Sequence, residues 1–116
     1  MSNVMDTTSG SVEVTILLPA YNEEQSIGNT IREIKKLHPD YEIFVVDDGS
    51  TDRTQEEAVK AGANVWKHPH NIGNGAAIKT GLRYASGEWV LMMDADGQHK
   101  PADIAKLLEH KDNYDN

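Results

Sequence analysis

Apolar positions along the chain alternate between short continuous runs and stripes at helical spacing. Four runs rich in β-branched or other apolar residues predict strands at 12–18, 43–46, 63–66 and 88–93. Stripes between and after them predict helices that begin near Ser26, Asp52, Gly75 and Pro101. The order is strand and helix in strict alternation with short connections. It predicts an α/β fold of three layers, α/β/α, with a mostly parallel sheet.

Local signals set the expected ends of these elements. Pro19 is expected to end the first strand, and Asn22 or Ser26 to cap the first helix. Asp52 and Gln55 have the spacing of a capping box. Gly62 and Gly87 are expected to end the second and third helices as C-caps.

Several residues are expected to pack in the core or between layers. The first helix presents a stripe at Ile27, Ile31, Ile34 and Leu37, and the last helix one at Ile104, Leu107 and Leu108. Small residues of the third helix allow a close approach to the sheet or to a ligand: Gly75, Ala76, Ala77, Gly81 and Ala85. The large apolar residues interpreted as core are Trp66, Trp89, Met92 and Met93.

Composition and charge limit the class of protein. A chain of 116 residues with 38% hydrophobic and 26% charged residues is expected to form one globular domain, over 12–116, after a polar, disordered lead at 1–11. The net charge of −8 argues against a nucleic-acid binder. The absence of cysteine excludes disulfides and thiolate metal sites. No apolar run is long enough to span a bilayer, and we expect a cytoplasmic protein.

Three of the predicted strands end in polar chemistry. Because ligands bind outside the carboxyl ends of parallel strands, these segments are expected at one edge of the sheet. They are Pro19-Ala20-Tyr21-Asn22-Glu23, Asp47-Asp48-Gly49-Ser50 and Asp94-Ala95-Asp96-Gly97-Gln98.

Asp94 and Asp96 form the sharpest candidate site. Residues two apart on a strand point to the same side, so the two carboxylates are expected to project together. Like charges so close are costly unless a cation lies between them, and hard oxygen ligands suit Mg²⁺ or Mn²⁺. A solvated turn is the alternative here, as a turn with a helix cap is for Asp47-Asp48-Gly49. His68 and His70 are interpreted as loop residues rather than metal ligands.

Four motifs in this order resemble glycosyltransferase family 2, whose members have the GT-A fold. They cover about residues 13 to 109: Leu17-Leu18-Pro19-Ala20-Tyr21-Asn22-Glu23-Glu24, Val45-Val46-Asp47-Asp48-Gly49-Ser50-Thr51-Asp52, the glycine- and alanine-rich segment Asn71 to Gly87, and Met93-Asp94-Ala95-Asp96-Gly97-Gln98-His99. The last motif is most similar to that of polyprenyl-phosphate, dolichol-phosphate-type sugar transferases. The resemblance implies the Rossmann-like, nucleotide-binding half of a GT-A fold.

The resemblance also implies roles for individual residues. Pro19, Ala20, Tyr21 and Glu23 would line the nucleotide pocket, with Tyr21 near the base. Asp48, together with Asp47, would bind the base or ribose, and Gly73 and Lys79 lie in a segment near the donor. Asp94 and Asp96 would be the catalytic metal-binding pair, with Ala95 beside the donor and Gln98 completing the metal ligands.

The implied reaction is sugar transfer with inversion from a UDP- or GDP-linked donor, assisted by Mg²⁺ or Mn²⁺. The implied acceptor is either a polyprenyl phosphate at a membrane surface, which would make the longer protein peripheral to a membrane, or a sugar hydroxyl, which would need a general base. The chain ends soon after the metal motif, so the resemblance covers a donor-binding portion without the acceptor half. A truncated sheet would leave an open edge, and self-association through it is expected.

Two other functions remain open at this point. A non-catalytic nucleotide-sugar-binding module would bind the donor without transferring the sugar. A phosphohydrolase of the haloacid-dehalogenase type also places Asp-x-Asp after an apolar strand, although there the motif follows the first strand.

Overall fold

The computed structural model describes residues 13–93 and 108–110, and over 13–93 four strands alternate with three helices as predicted. The strands are β1 (Val14–Ala20), β2 (Glu42–Asp47), β3 (Asn64–Lys67), β4 (Trp89–Met92) and β5 (Leu108–His110). The helices are α1 (Ile27–Leu37), α2 (Thr54–Lys60) and α3 (Asn74–Tyr84). None of the helices in the described residues is long and apolar enough to cross a membrane.

The strands form one sheet in the order β3-β2-β1-β4-β5. The first four strands are parallel, with β1 paired to both β2 and β4, and β5 pairs antiparallel with β4. The predicted mostly parallel sheet is confirmed. Parallel pairing brings the carboxyl ends of β1 to β4 to the same edge of the sheet, which we call the carboxyl edge.

Apolar side chains fill both faces of this sheet, which gives the three predicted layers. On one face, α1 and α2 pack on β1, β2 and β4 through residues that include Ile16, Leu18, Ile31, Ile34, Val45 and Ala58. On the other face, α3 packs through residues that include Leu17, Phe44, Val46, Ala77, Leu82 and Val90. Strands buried on both faces explain the continuous apolar runs in the sequence.

Helix α3 comes unusually close to β1. A Cβ atom on Gly81 would lie 2.2 Å from Leu17 Cδ1, so any other residue would force the buried Leu17 side chain to move. Ala77 and Ala85, one turn away on either side, are also buried. The predicted close approach of the small residues to the sheet is therefore confirmed for these three. Gly75 has open space around it and takes no part in the contact.

Pro19 lies inside β1 and does not end it, contrary to the prediction. Leu17 O accepts a hydrogen bond from Met93 N on the β4 side, and Ala20 O accepts one from Asp48 N on the β2 side. Alternate residues of a parallel strand point their backbone groups to alternate neighbours, so Pro19 faces the β4 side. The missing N–H of the proline therefore removes no bond between β1 and β2, and the strand continues to Ala20.

Gly87 is not the C-cap of α3, which ends at Tyr84. Instead its backbone crosses β1 at close range, because a Cβ atom here would lie 2.5 Å from Thr15 N. Gly87 N donates to Thr15 Oγ1 at 2.8 Å, and that hydroxyl donates to Glu42 Oε1 at 2.6 Å. The glycine is needed for packing rather than for ending a helix. Gly62, with φ +101°, does follow α2 as predicted.

Three other predictions are corrected by the structure. Leu108 belongs to strand β5, not to a helix, whereas Pro101, Ile104 and Leu107 lie outside the described residues. Leu37, at the end of α1, is 53% exposed because the apolar stripe turns away from the sheet there. Trp66 is 43% exposed and stacks on Tyr84 with ring centroids 4.4 Å apart, so it covers α3 from outside rather than joining the core.

Candidate functional site

Side-chain hydrogen bonds fasten the loop after β1 to the loop after β2. Asn22 N donates to Ser50 Oγ at 2.8 Å, and Thr51 N donates to Asn22 Oδ1 at 2.9 Å. Asn22 has φ 52°, a left-handed conformation that asparagine tolerates better than most residues. The two loops are thereby held side by side at the carboxyl edge.

The same pair of loops is joined again at the start of α2. Glu23 N donates to Thr54 Oγ1 at 2.8 Å, and Glu24 N donates to Asp52 Oδ2 at 3.2 Å. The other oxygen of Asp52 accepts from the backbone N–H and the hydroxyl of Thr54. Burial raises the pKa of Asp52, but these hydrogen bonds outweigh it and hold the pKa below its ordinary value. Helix α2 thus begins at Thr54, and the structure gives Gln55 no capping-box bond among the described residues.

Asp47 and Asp48 follow each other but have different surroundings. Asp47 is fully buried, and its Oδ1 accepts a hydrogen bond from Ser50 N at 2.9 Å. Its Oδ2 has no hydrogen-bond partner among the residues that the structure describes. An orphaned carboxylate oxygen in a buried position is rare in folded proteins. Asp47 is therefore a buried acceptor, and one of its two carboxylate oxygens has no donor among the described residues.

Asp48 is saturated by donors from the protein itself. His68 Nδ1 lies 2.7 Å from Oδ1, and Gly73 N donates to Oδ2 at 2.8 Å. Ile72 N is shared between the two oxygens at 3.1 and 3.2 Å. Burial raises the pKa of Asp48, but hydrogen bonds from His68, Ile72 and Gly73 outweigh it and hold the pKa below its ordinary value.

His68 is a residue whose importance the sequence interpretation missed. It lies in a loop, as expected, but it is only 6% exposed. Its backbone N–H donates to Asp47 O at 2.8 Å, and its Nε2 lies 2.9 Å from Thr80 Oγ1. The usable signal was position, because His68 directly follows β3 and so lies at the same edge of the sheet as the motifs. His70, by contrast, is exposed.

The residues expected to line the nucleotide pocket differ in how far they are buried. Ala20 is buried at the end of β1, Pro19 is half-buried, and Tyr21 is 44% exposed at the surface of the loop. Glu23 is half-buried, and its Oε2 accepts a hydrogen bond from Ser26 Oγ at 3.2 Å. These residues share the carboxyl edge with Asp47 and Asp48.

Lys79 takes a separate position on the outer face of α3. It is exposed and lines an open groove of about 310 Å³. The other residues of that groove are Trp66, Ala76, Thr80, Arg83 and Tyr84. Its neighbour Thr80 contacts His68, which links this part of α3 to the carboxyl edge.

The predicted metal ligands follow β4 in sequence. Met93 N donates to Leu17 O at 3.1 Å, so the chain leaves β4 alongside β1. Asp94, Ala95, Asp96 and Gln98 are outside the described residues. Within residues 13–93 and 108–110, no group of three or more His, Asp and Glu residues could hold a metal ion.

A parallel sheet with helices on both faces and polar loops locked together at its carboxyl edge is the arrangement of nucleotide-binding α/β proteins. Sequence comparison then identifies the family. The model of "Glycosyl transferase family 2" matches residues 15–116. The chain belongs to glycosyltransferase family 2, which supports the resemblance over the phosphohydrolase alternative.

Among curated relatives, an undecaprenyl-phosphate 4-deoxy-4-formamido-L-arabinose transferase of Pectobacterium atrosepticum is 36% identical over 107 residues. That match covers 84% of this chain and 33% of the relative. A dolichyl-phosphate beta-glucosyltransferase of Trichomonas vaginalis is 40% identical over 114 residues, covering 86% of this chain and 35% of the relative. The chain thus spans about a third of the length of these two relatives.

Solved glycosyltransferases share the fold. Glucosyl-3-phosphoglycerate synthase from Mycobacterium tuberculosis, in complex with Mn²⁺, UDP-glucose and phosphoglyceric acid, has a TM-score of 0.64 and 32% identity. The match covers 75% of this chain and 34% of that one. A mannosyltransferase from Pyrobaculum calidifontis, in complex with GDP-mannose and Mn²⁺, has a TM-score of 0.67 and 30% identity, covering 72% and 27%. The predicted GT-A-type α/β fold is confirmed.

Proposed function

We propose that this chain is the donor-binding part of a glycosyltransferase that transfers a sugar from a UDP- or GDP-linked donor to a polyprenyl phosphate with inversion. The observation that carries the proposal is the locked pair of loops at the ends of β1 and β2, beside the end of β4. Asn22–Ser50 and Glu24–Asp52 fix these loops, and Met93 carries the chain along β1 directly before Asp94.

In this proposal the residues at the carboxyl edge bind and orient the nucleotide. Tyr21 offers an exposed ring to the base, with Pro19, Ala20 and Glu23 beside it. Asp48 and Asp47 border the base or ribose in this proposal: one oxygen of Asp47 has no partner among the described residues, and Asp48 also fixes the backbone of Gly73. Gly73 and Lys79 bring α3 to the donor in the same proposal.

Asp94, Asp96 and Gln98 are the residues proposed to hold a divalent cation, with Ala95 beside the donor. Their carboxylate and amide oxygens suit Mg²⁺ or Mn²⁺. When bound, such an ion neutralises the diphosphate and stabilises it as a leaving group. The chain needs this help because its own net charge is −8, which repels an anionic donor.

Two relatives support a lipid-phosphate acceptor, because one is named as an undecaprenyl-phosphate transferase and the other as a dolichyl-phosphate transferase. An acceptor phosphate is already anionic and needs no strong general base. The whole protein is then expected to work at the membrane surface, and self-association through the sheet edge stays a prediction.

Thermal unfolding with added ligand tests the proposal. UDP or GDP with Mn²⁺ should raise the melting temperature by several degrees, because ligand at a hundred times its Kd stabilises a fold by about 2.7 kcal/mol. The variants Asp94→Asn and Asp96→Asn should lose the Mn²⁺-dependent part of this shift. Asp40→Asn removes the same charge at an exposed loop and serves as the matched control. If no nucleotide shifts the melting temperature of the unmutated chain, the proposal is wrong.

A sugar-transfer assay distinguishes an active glycosyltransferase from a module that only binds the nucleotide sugar. Transfer of labelled sugar from UDP-glucose or GDP-mannose to a polyprenyl phosphate supports the enzyme. Donor binding with neither transfer nor donor hydrolysis would select the non-catalytic module instead.

A further inference from the structure

Three side chains form a buried hydrogen-bonded chain from β2 to α3. Asp48 follows β2, His68 follows β3, and Thr80 lies in the middle of α3. His68 Nδ1 is 2.7 Å from Asp48 Oδ1, and His68 Nε2 is 2.9 Å from Thr80 Oγ1. The histidine is 6% exposed and Asp48 is 5% exposed. Both ring nitrogens of His68 are therefore used inside the protein.

The chemistry of the partners fixes the direction of these bonds. An ionised Asp48 can only accept, so His68 Nδ1 carries the hydrogen. In the neutral imidazole Nε2 then accepts from the hydroxyl of Thr80, and every polar group in the chain is satisfied. Because its ring is held from both ends, His68 fixes the rotamer of Asp48 relative to helix α3.

Asp48 in turn holds the segment that leads into α3. Its carboxylate accepts from the backbone N–H groups of Ile72 and Gly73, and Gly73 directly precedes the helix. A carboxylate has about four lone-pair positions, and three donors make four contacts with Asp48, because Ile72 N is shared between its two oxygens. The carboxylate thus serves as an anchor for the backbone of this segment.

Close backbone packing brings the same segment onto the end of β2. Gly49 has φ +78°, and a Cβ atom on it would lie 2.3 Å from the carbonyl carbon of His70. A side chain at position 49 would force the two backbones apart. Packing and hydrogen bonds therefore act on the same segment, residues 68–73.

We propose that His68 is a positioning residue of the nucleotide site, which places the Ile72–Gly73 backbone and the start of α3 against the end of β2 by orienting Asp48. The effect of His68 on nucleotide binding rests on the proposed function, because Gly73 and Asp48 are proposed there to border the nucleotide. His68 itself touches no substrate. It acts through Asp48 on the shape of the pocket wall.

Two substitutions of His68 separate its polar role from its volume. His68→Leu fills the space without a donor. His68→Asn places an amide N–H where Nδ1 donates to Asp48 but gives up the contact with Thr80. Nucleotide Kd is measured by titration calorimetry with UDP or GDP in the presence of Mn²⁺, and amide hydrogen exchange is followed at Ile72 and Gly73.

We expect His68→Leu to raise the nucleotide Kd at least tenfold and to speed exchange at both amides. His68→Asn should recover most of the affinity and most of the protection. An unchanged Kd in His68→Leu, within twofold of the unmutated chain, would overturn the proposal, and so would unchanged exchange at both amides.

Two further variants keep the test decisive. Thr80→Val removes one hydroxyl at nearly constant volume, so it tests the chain even if His68→Leu fails to fold. It should raise the Kd severalfold, and no change would also overturn the proposal. Ile34→Val lies in the core on the other face of the sheet. It lowers the melting temperature and should leave the Kd unchanged, which separates positioning from general destabilisation.

The unmutated chain distinguishes the two failures. If it binds neither nucleotide, the proposed function is wrong, and the role of His68 in that site falls with it. If it binds and the His68 variants bind equally well, only the positioning role is wrong.

Discussion

At the scale of single residues, adjacent carboxylates at the end of β2 have become chemically distinct. Asp47 points into the buried interior with one oxygen unpartnered among the described residues, whereas both oxygens of Asp48 accept bonds from the protein. Sequence reasoning treated the two as one acidic pair. The difference arises from His68, Ile72 and Gly73, 20 to 25 residues away in sequence, which no local pattern connects to Asp48.

Asp48 should make the stability of the fold depend on pH in the acid range. Its folded pKa lies below the unfolded value, so the carboxylate stabilises the fold above that value, and this stability is lost as pH falls through the folded pKa. Asp48→Asn should lower the free energy of unfolding by about 1–3 kcal/mol at pH 7, because the amide cannot accept all the bonds from the buried His68 and the backbone N–H groups of Ile72 and Gly73.

Denaturant unfolding from pH 7 down to about pH 2.5 measures this effect. The difference between the unmutated chain and Asp48→Asn should shrink below about pH 4. The exposed Asp40→Asn should follow the unmutated chain throughout. A constant difference between the two chains across the whole range would contradict the role given to the ionised carboxylate.

At the scale of helices and strands, the pattern of apolar residues predicted which elements exist and their order better than it predicted the residues at which they end. Four parallel strands and three helices stand where the apolar runs and stripes indicated, because strands buried on both faces leave a strong signal. The ends were harder to predict. Pro19 continues β1 because its backbone faces the β4 side, and Gly87 serves a close backbone contact with Thr15. Both facts depend on neighbouring strands rather than on local sequence.

The candidate site was predictable in part for the same reason. The rule that strand ends gather at one edge correctly placed the β1 and β2 motifs together. It did not reveal that the two loops are joined by side-chain hydrogen bonds from four residues: Asn22, Ser50, Asp52 and Thr54. These hydrogen bonds link residues 28 to 31 positions apart, and that pairing is settled only by the fold.

Helix α3 allows the same substitution to be tested with opposite expected signs. Gly81→Ala places a methyl group 2.2 Å from Leu17 Cδ1, so we expect a loss of about 1–3 kcal/mol from overpacking. Gly75→Ala meets open space near the start of the same helix, so we expect a gain of about 0.5 kcal/mol from helix propensity. Chemical denaturation of both variants measures this, and equal effects would contradict the close packing of α3 on β1.

At the scale of the whole molecule, the negative net charge of the chain conflicts with the proposed binding of an anionic ligand. A chain with 19 acidic and 11 basic residues is proposed to bind a nucleotide diphosphate, which is itself anionic. Tyr21 and the loops beside it are proposed to orient the nucleoside, but the edge itself carries the carboxylates of Glu23, Asp47 and Asp48. In the proposed function, a divalent cation held by Asp94 and Asp96 would supply the positive charge for the diphosphate.

The position of that cation shows whether the ends of β1, β2 and β4 form one nucleotide site. Mn²⁺ is paramagnetic and broadens the amide resonances of residues close to it, so a ¹H–¹⁵N spectrum with UDP or GDP and substoichiometric Mn²⁺ maps the site. We predict that Asp94 and Asp96 broaden first and that Tyr21 and Asp48 broaden with them. Gly87, at the opposite end of the sheet, should stay sharp, and Asp94→Asn should abolish the pattern. Broadening confined to Asp94 and Asp96, with Tyr21 and Asp48 unaffected, would contradict a single nucleotide-binding site at the carboxyl edge.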